Sequence, residues 1–206
     1  MKNVDWPYLE RYREANEALL NQTPLDNSIV CMGDSITEFW QDVHPIFFET
    51  HHLICRGIKG QTSSQMLLRV RQDVIELRPK AVVILAGIND IAENTGSISV
   101  KNIFGNIISM VQLAQANQIK VLLCSVLPAA TIPWNSKINP IEKIIHLNNL
   151  LSSYAKEHQL PYVNYYEVMA TEDLSLPAAY TEDGVHPTVA GYTVMETILK
   201  EALVKL

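Results

Sequence analysis

Short apolar runs rich in β-branched residues alternate with long amphipathic segments along this chain, and that alternation restricts the possible folds more than any other feature. The runs are Ser28–Met32, Leu53–Cys55, Ala81–Ala86, Lys120–Val126 and Tyr162–Val163. Each is continuous in its apolar character rather than alternating, as expected for strands buried on both faces. The segments between them follow a helical period. Residues 62–77 place Met66, Leu67, Val70, Val74 and Leu77 on one side, and residues 98–117 place Ile103, Ile107, Met110, Val111 and Ala114. Residues 140–157 present Ile141, Ile144, Ile145, Leu151, Tyr154 and Ala155. A last helix is predicted to start at Pro187, a favoured first-turn residue, and to present Val189, Tyr192, Met195, Ile198, Leu199 and Ala202. Strand–helix alternation of this kind predicts an α/β fold with a parallel sheet, helices on both faces and right-handed crossovers.

The 206 residues, 48% hydrophobic and 18% charged, suit one domain spanning 1–206. Residues 1–25 are expected to add an amphipathic helical segment packed on it, anchored by Trp6, Tyr8 and Tyr12 and without chemistry of its own. A net charge of −6 with no basic block argues against nucleic acid or an anionic membrane as partner. Cys31, Cys55 and Cys124 lie in strand-like runs and read as core residues, not as a disulfide or metal framework. The charged start MKNVDWPYLERYREANE lacks the apolar centre of a signal peptide, and no apolar stretch is long enough to span a bilayer. As it stands the sequence reads as soluble and cytoplasmic.

In open α/β sheets the site lies beyond the carboxyl ends of the strands. There the chain places Gly33-Asp34-Ser35, then Arg56 to Thr62 with two glycines, then Gly87-Ile88-Asn89-Asp90. Asp183-Gly184-Val185-His186 precedes the last helix. Acyl transfer needs these groups. A serine hydroxyl requires a base, which His186 supplies, and the imidazole requires an acceptor that holds its tautomer, which Asp183 supplies. The tetrahedral oxyanion requires preorganised donors, for which the backbone N–H groups of Ser35 and Gly60 and the Asn89 amide are candidates. Alone, each piece reads as turn or cap chemistry. Their joint occurrence at successive strand ends favours a site.

Together these blocks resemble the SGNH branch of the GDSL hydrolases. Gly33-Asp34-Ser35-Ile36-Thr37 matches the nucleophile block, with isoleucine where the family name has leucine. Gly57 to Thr62 is similar to the glycine block, where Gly60 is favoured over Gly57 because it directly precedes Gln61-Thr62. Gly87-Ile88-Asn89-Asp90 matches G-x-N-D, and Asp183-Gly184-Val185-His186 matches D-x-x-H. The resemblance implies a flavodoxin-like three-layer α/β/α sandwich of about five parallel strands in the order 2-1-3-4-5. It implies an esterase without cofactor or metal, acting on a small-molecule ester, and a homodimer would be unsurprising. More narrowly, RGIKGQTSSQML, AVVILAGIND and DGVHPTVAGY resemble acylhydrolases related to the platelet-activating-factor acetylhydrolase catalytic subunits and to carbohydrate acetylesterases. Short acyl esters, such as O-acetyl esters of a carbohydrate or small lipid, are the expected substrates. A lysophospholipase or thioesterase activity and a non-catalytic binding module are the alternatives.

Two loops are long for simple connections, 127–140 and 170–185. Trp134 on the first either walls the substrate pocket or anchors the loop. With Asp34, Ile58, Ile88 and Val185 it makes up the candidate pocket. Trp40 is expected in the core, and Arg56 in a structural pair with a carboxylate. His44, His51, His52, His146 and His158 are expected at the surface. A metal site using Asp34, Asp90, Asp183 and His186 lacks any supporting spacing such as HxH or HExxH.

Overall fold

A computed structural model describes residues 5–22, 25, 27–204 and 206. Five parallel strands, β1 (Ile29–Gly33), β2 (Leu53–Gly57), β3 (Ala81–Ile84), β4 (Lys120–Cys124) and β5 (Tyr162–Val163), form one sheet in the order β2-β1-β3-β4-β5. That is the 2-1-3-4-5 arrangement expected from the sequence. The strands are buried almost throughout, which explains their continuous apolar character.

Helices cover both faces. On one, α4 (Ser63–Val70), α6 (Val100–Ala116) and α7 (Ile141–Glu157) pack side by side. On the other lie α2 (Ser35–Val43), α3 (Pro45–Thr50) and α9 (Val189–Leu203), with Trp40 of α2 stacked on Tyr192 of α9. Short helices α5 (Ile88–Ile91) and α8 (Tyr165–Met169) follow β3 and β5, and α1 (Arg13–Gln22) packs at the end of α4. Among the described residues no helix is long and apolar enough to cross a membrane.

Several expectations need correction. The helix of 62–77 runs as α4 and then widens into a π turn at Arg71–Ile75. The last helix starts after Pro187, because the Thr188 side chain caps it by accepting from the Gly191 N–H, and Val189 is exposed. The N-terminal helix covers only 13–22 among the described residues; Trp6 and Tyr8 lie before it in turns and are exposed, so of the three proposed anchors only Tyr12 packs inward. The Tyr12 hydroxyl donates to the Gly57 carbonyl, and the buried Arg56 guanidinium lies over its ring. Among the described residues Arg56 pairs with no carboxylate: its Nε and Nη2 donate to Asn16 Oδ1 at 2.9 and 2.6 Å. His44 is not a free surface residue, since its Nδ1 lies 2.6 Å from Glu196 Oε1, beside buried Trp40. Cys31, Cys55 and Cys124 are buried free thiols.

Candidate active site

The sheet register places the functional loops at one edge. Gly33 pairs with Gly57, and Met32 with Ile84, so the segments following β1, β2 and β3 emerge together. This is where the strand order reverses, between β1 and β3, the place such sheets use for ligands.

Asp34 is the N-cap of α2, its Oδ1 accepting from the Ile36 N–H at 2.9 Å, and Ser35 is the first helical residue. The cap fixes the serine at the positive end of a helix, which favours negative charge nearby. Close approach of β2 makes this possible: a Cβ on Gly57 would fall 2.3 Å from the Glu38 backbone nitrogen. Ser35 Oγ lies 2.9 Å from His186 Nε2, and His186 Nδ1 lies 2.6 Å from Asp183 Oδ2. The other carboxylate oxygen of Asp183 accepts from the backbone N–H groups of Val185 and His186 at 2.9 and 2.8 Å. Partial burial works to raise the Asp183 carboxyl, but its hydrogen bonds from the His186 ring and these amides outweigh that and hold it below the ordinary aspartate value. The histidine is delivered by α9, whose buried Tyr192 donates its hydroxyl to the Ile36 carbonyl of α2 at 2.9 Å.

Gly60 occupies a left-handed turn at φ +77°, a conformation glycine adopts without a Cβ penalty. Among the described residues neither its N–H nor that of Ser35 donates to a protein acceptor. Asn89 is buried, and its Nδ2 donates one hydrogen to the Gln61 carbonyl at 3.1 Å, while the second meets no acceptor among the described residues. Asp90 ties the blocks together by accepting from Ser63 N–H at 2.8 Å and Ser63 Oγ at 2.6 Å; burial raises its carboxyl to about 6. Of the proposed pocket residues, Asp34, Ile58, Ile88 and Val185 are buried, while Trp134 is exposed and its ring lies 5.8 Å from that of His186.

Two residues in contact with the candidate site escaped sequence reasoning. Phe39 of α2 flanks His186 at 5.4 Å between ring centroids. Asn94 donates to Asn89 Oδ1 at 2.9 Å and to the Gly60 carbonyl at 3.2 Å, while its Oδ1 accepts from Trp134 Nε1 at 2.8 Å. It lies four residues beyond the G-x-N-D block in a polar turn, with no local signal to single it out.

Residues 31–194 match the GDSL-like lipase/acylhydrolase family. The chain belongs to that family. The hydrolase is thus a carboxylic ester hydrolase, on a fold that its structural relatives share. A GDSL-like lipase from Bacteroides thetaiotaomicron is 49% identical, with a TM-score of 0.94 over 98% of this chain and 99% of that one. A lipase/acylhydrolase from Enterococcus faecalis is 23% identical, with a TM-score of 0.72 over 87% and 97% of the two chains. A variant of an acetyl-xylooligosaccharide esterase from Geobacillus is 18% identical, with a TM-score of 0.67 over 88% and 96%. These last two similarities speak for the fold alone. A comparison with curated proteins returned no match.

Proposed function

We propose that this hydrolase cleaves short-chain acyl esters, such as an O-acetyl group on a carbohydrate or small lipid, through a covalent acyl-enzyme on Ser35. The observation that carries the reading is the continuous line Ser35 Oγ–His186 Nε2–His186 Nδ1–Asp183 Oδ2, with contacts of 2.9 and 2.6 Å. With Nδ1–H donated to Asp183, Nε2 is left as an acceptor facing the hydroxyl. Ser35 Oγ attacks the ester carbon as its proton passes to Nε2. The carbonyl π pair moves onto oxygen, where the N–H groups of Ser35 and Gly60 and the Asn89 amide receive the charge. Collapse expels the alcohol, protonated by Nε2–H. Water then attacks the acyl-enzyme with His186 again as base, releasing the acid and restoring the Ser35 hydroxyl.

Short acyl groups are favoured because the apolar residues flanking the site blocks, Ile36, Ile58, Ile88 and Val185, are all packed inside. These four side chains offer a long acyl chain little exposed apolar surface. The test is hydrolysis of p-nitrophenyl esters from acetate to palmitate by wild type and Ser35→Ala. Activity confined to acetate and butyrate, and abolished in a folded Ser35→Ala, is expected. Near-wild-type activity in the variant would refute the nucleophile, and rates that climb toward palmitate would favour a lipid acylhydrolase.

A further inference from the structure

We propose that the N-terminal segment, together with Trp134 and the turn at 92–95, builds a subsite that receives a sugar ring of the alcohol half of the ester. The inference rests on the esterase reading above and extends it to residues that reading does not use.

A cavity of about 610 Å³ adjoins the oxyanion loop and is bordered by both Gly60 and Asn94. Its volume falls in the range of small-molecule sites and far exceeds what an acetyl group fills. Three aromatic side chains line it: Trp6, Tyr8 and Trp134, which are 43%, 50% and 44% exposed. Between them stand polar groups, among them Asp5, Lys59, Glu93 and Thr95. A sugar ring presents an apolar C–H face and a rim of hydroxyls. Flat aromatic faces interleaved with hydrogen-bonding groups match both. An acyl chain would instead lay methylenes against two carboxylates and an ammonium, which would lose water without a partner.

The position follows from the chemistry. The leaving alcohol oxygen must lie within hydrogen-bond reach of His186 Nε2. Trp134 stands beside that imidazole and also lines the cavity, with its indole N–H held by Asn94 Oδ1. The carbon skeleton of the alcohol therefore passes over Trp134 into the space that Trp6 and Tyr8 also line.

The segment is held in place for this. Side-chain amides of Gln65, Gln61 and Gln72 donate to the backbone carbonyls of Trp6, Pro7 and Leu9 at 2.8, 2.9 and 2.6 Å. Asp5 closes the turn by accepting from the N–H groups of Leu9 and Glu10. Tyr8 holds φ +58°, a conformation that aromatic residues seldom adopt, so the clamps keep an unfavourable turn that displays its ring. Gln61 is also the residue whose carbonyl orients Asn89, so the segment and the oxyanion loop share one support.

The first experiment is binding, independent of turnover. Ser35→Ala is titrated with partially acetylated xylotriose while tryptophan emission and acrylamide quenching are followed. Trp6 and Trp134 both line the cavity and Trp40 is buried, so saturable change with protection from quencher is expected. Trp6→Ala or Tyr8→Asn, made in that background, is expected to weaken binding by about tenfold, the scale of one lost aromatic contact. Asn accepts the positive φ, which guards against misfolding in the second variant. In the active enzyme the same substitutions should lower kcat/KM for the acetylated trisaccharide far more than for p-nitrophenyl acetate. Absence of saturable binding, or equal losses on both substrates, overturns the subsite while Ser35-dependent hydrolysis of p-nitrophenyl acetate leaves the esterase reading standing. No Ser35-dependent hydrolysis of either substrate overturns both.

Discussion

Asn94 holds two groups proposed to carry the oxyanion, since its amide donates to Asn89 Oδ1 and to the Gly60 carbonyl. Removing Asn89 itself deletes a donor, and Asn89→Ala is expected to lower kcat by about 10²–10³. Asn94→Ala deletes only the support, so a smaller fall of about tenfold in kcat with little change in KM is expected from steady-state kinetics. A rise in KM at constant kcat would place Asn94 in substrate binding instead. Asp34 offers a test through pH. Burial lifts its carboxyl to about 7, against about 4 in an unfolded chain. The folded protein therefore holds that proton more tightly, and the associated stability is complete below about pH 4 and is lost as pH rises through about 7. Asp34→Asn keeps an oxygen to cap the Ile36 N–H but cannot ionise. Thermal melts from pH 4 to pH 8 should show wild type losing stability relative to the variant, and parallel curves would refute the shift. At this scale the proposed site residues Ser35, Asn89, Asp183 and His186 were legible as candidates because each sits in a short block whose chemistry is local. Asn94 and Phe39 were not, because only their neighbours in space give them a role.

Among the elements, α4 does more than cover the sheet. Its Arg69 is fully buried, pairs with Asp73 at 2.8 Å, and donates to the carbonyls of Gly33 and Arg56 at 3.1 and 2.8 Å. One guanidinium thus donates to the carboxyl ends of β1 and β2 just before the Gly33-Asp34-Ser35 turn. Arg69→Met would leave Asp73 buried with Asn16 as its remaining close partner and would remove a donor from each of the two carbonyls. A loss of about 3–5 kcal/mol in urea unfolding is expected, whereas a loss below about 1 kcal/mol would show the pair to be dispensable. The periodicity of 62–77 reveals this helix but not its π turn, since Val70, Val74 and Leu77 recur at spacings of four and three that a continuous α-helix fits as well. Pro187 misled for a related reason. Proline and threonine both mark helix starts, and only the Thr188 side chain reaching the Gly191 N–H decides between them.

For the molecule as a whole, protection from exchange should follow the layers. Amides of β1, β3 and β4, covered on both faces, are expected to exchange only through global unfolding, and those of residues 5–12 through local opening. Hydrogen exchange read by mass spectrometry checks this; early exchange in β3 would contradict it. The sequence by itself determined the fold class and the hydrolase family. The alternation of apolar runs with amphipathic helices admits few architectures, and four blocks carry the proposed nucleophile, oxyanion donors, acid and base within a few residues each. Tertiary structure alone decided what these blocks meet. Ser35 and His186 are 151 positions apart and become partners only because α9 docks Tyr192 against α2. Tertiary structure also turned His44 inward to Glu196 and set Trp6 and Tyr8 outward beside Trp134. Periodicity states which face of an element is apolar, but burial and partnership depend on what packs over that face, and those groups come from distant parts of the chain.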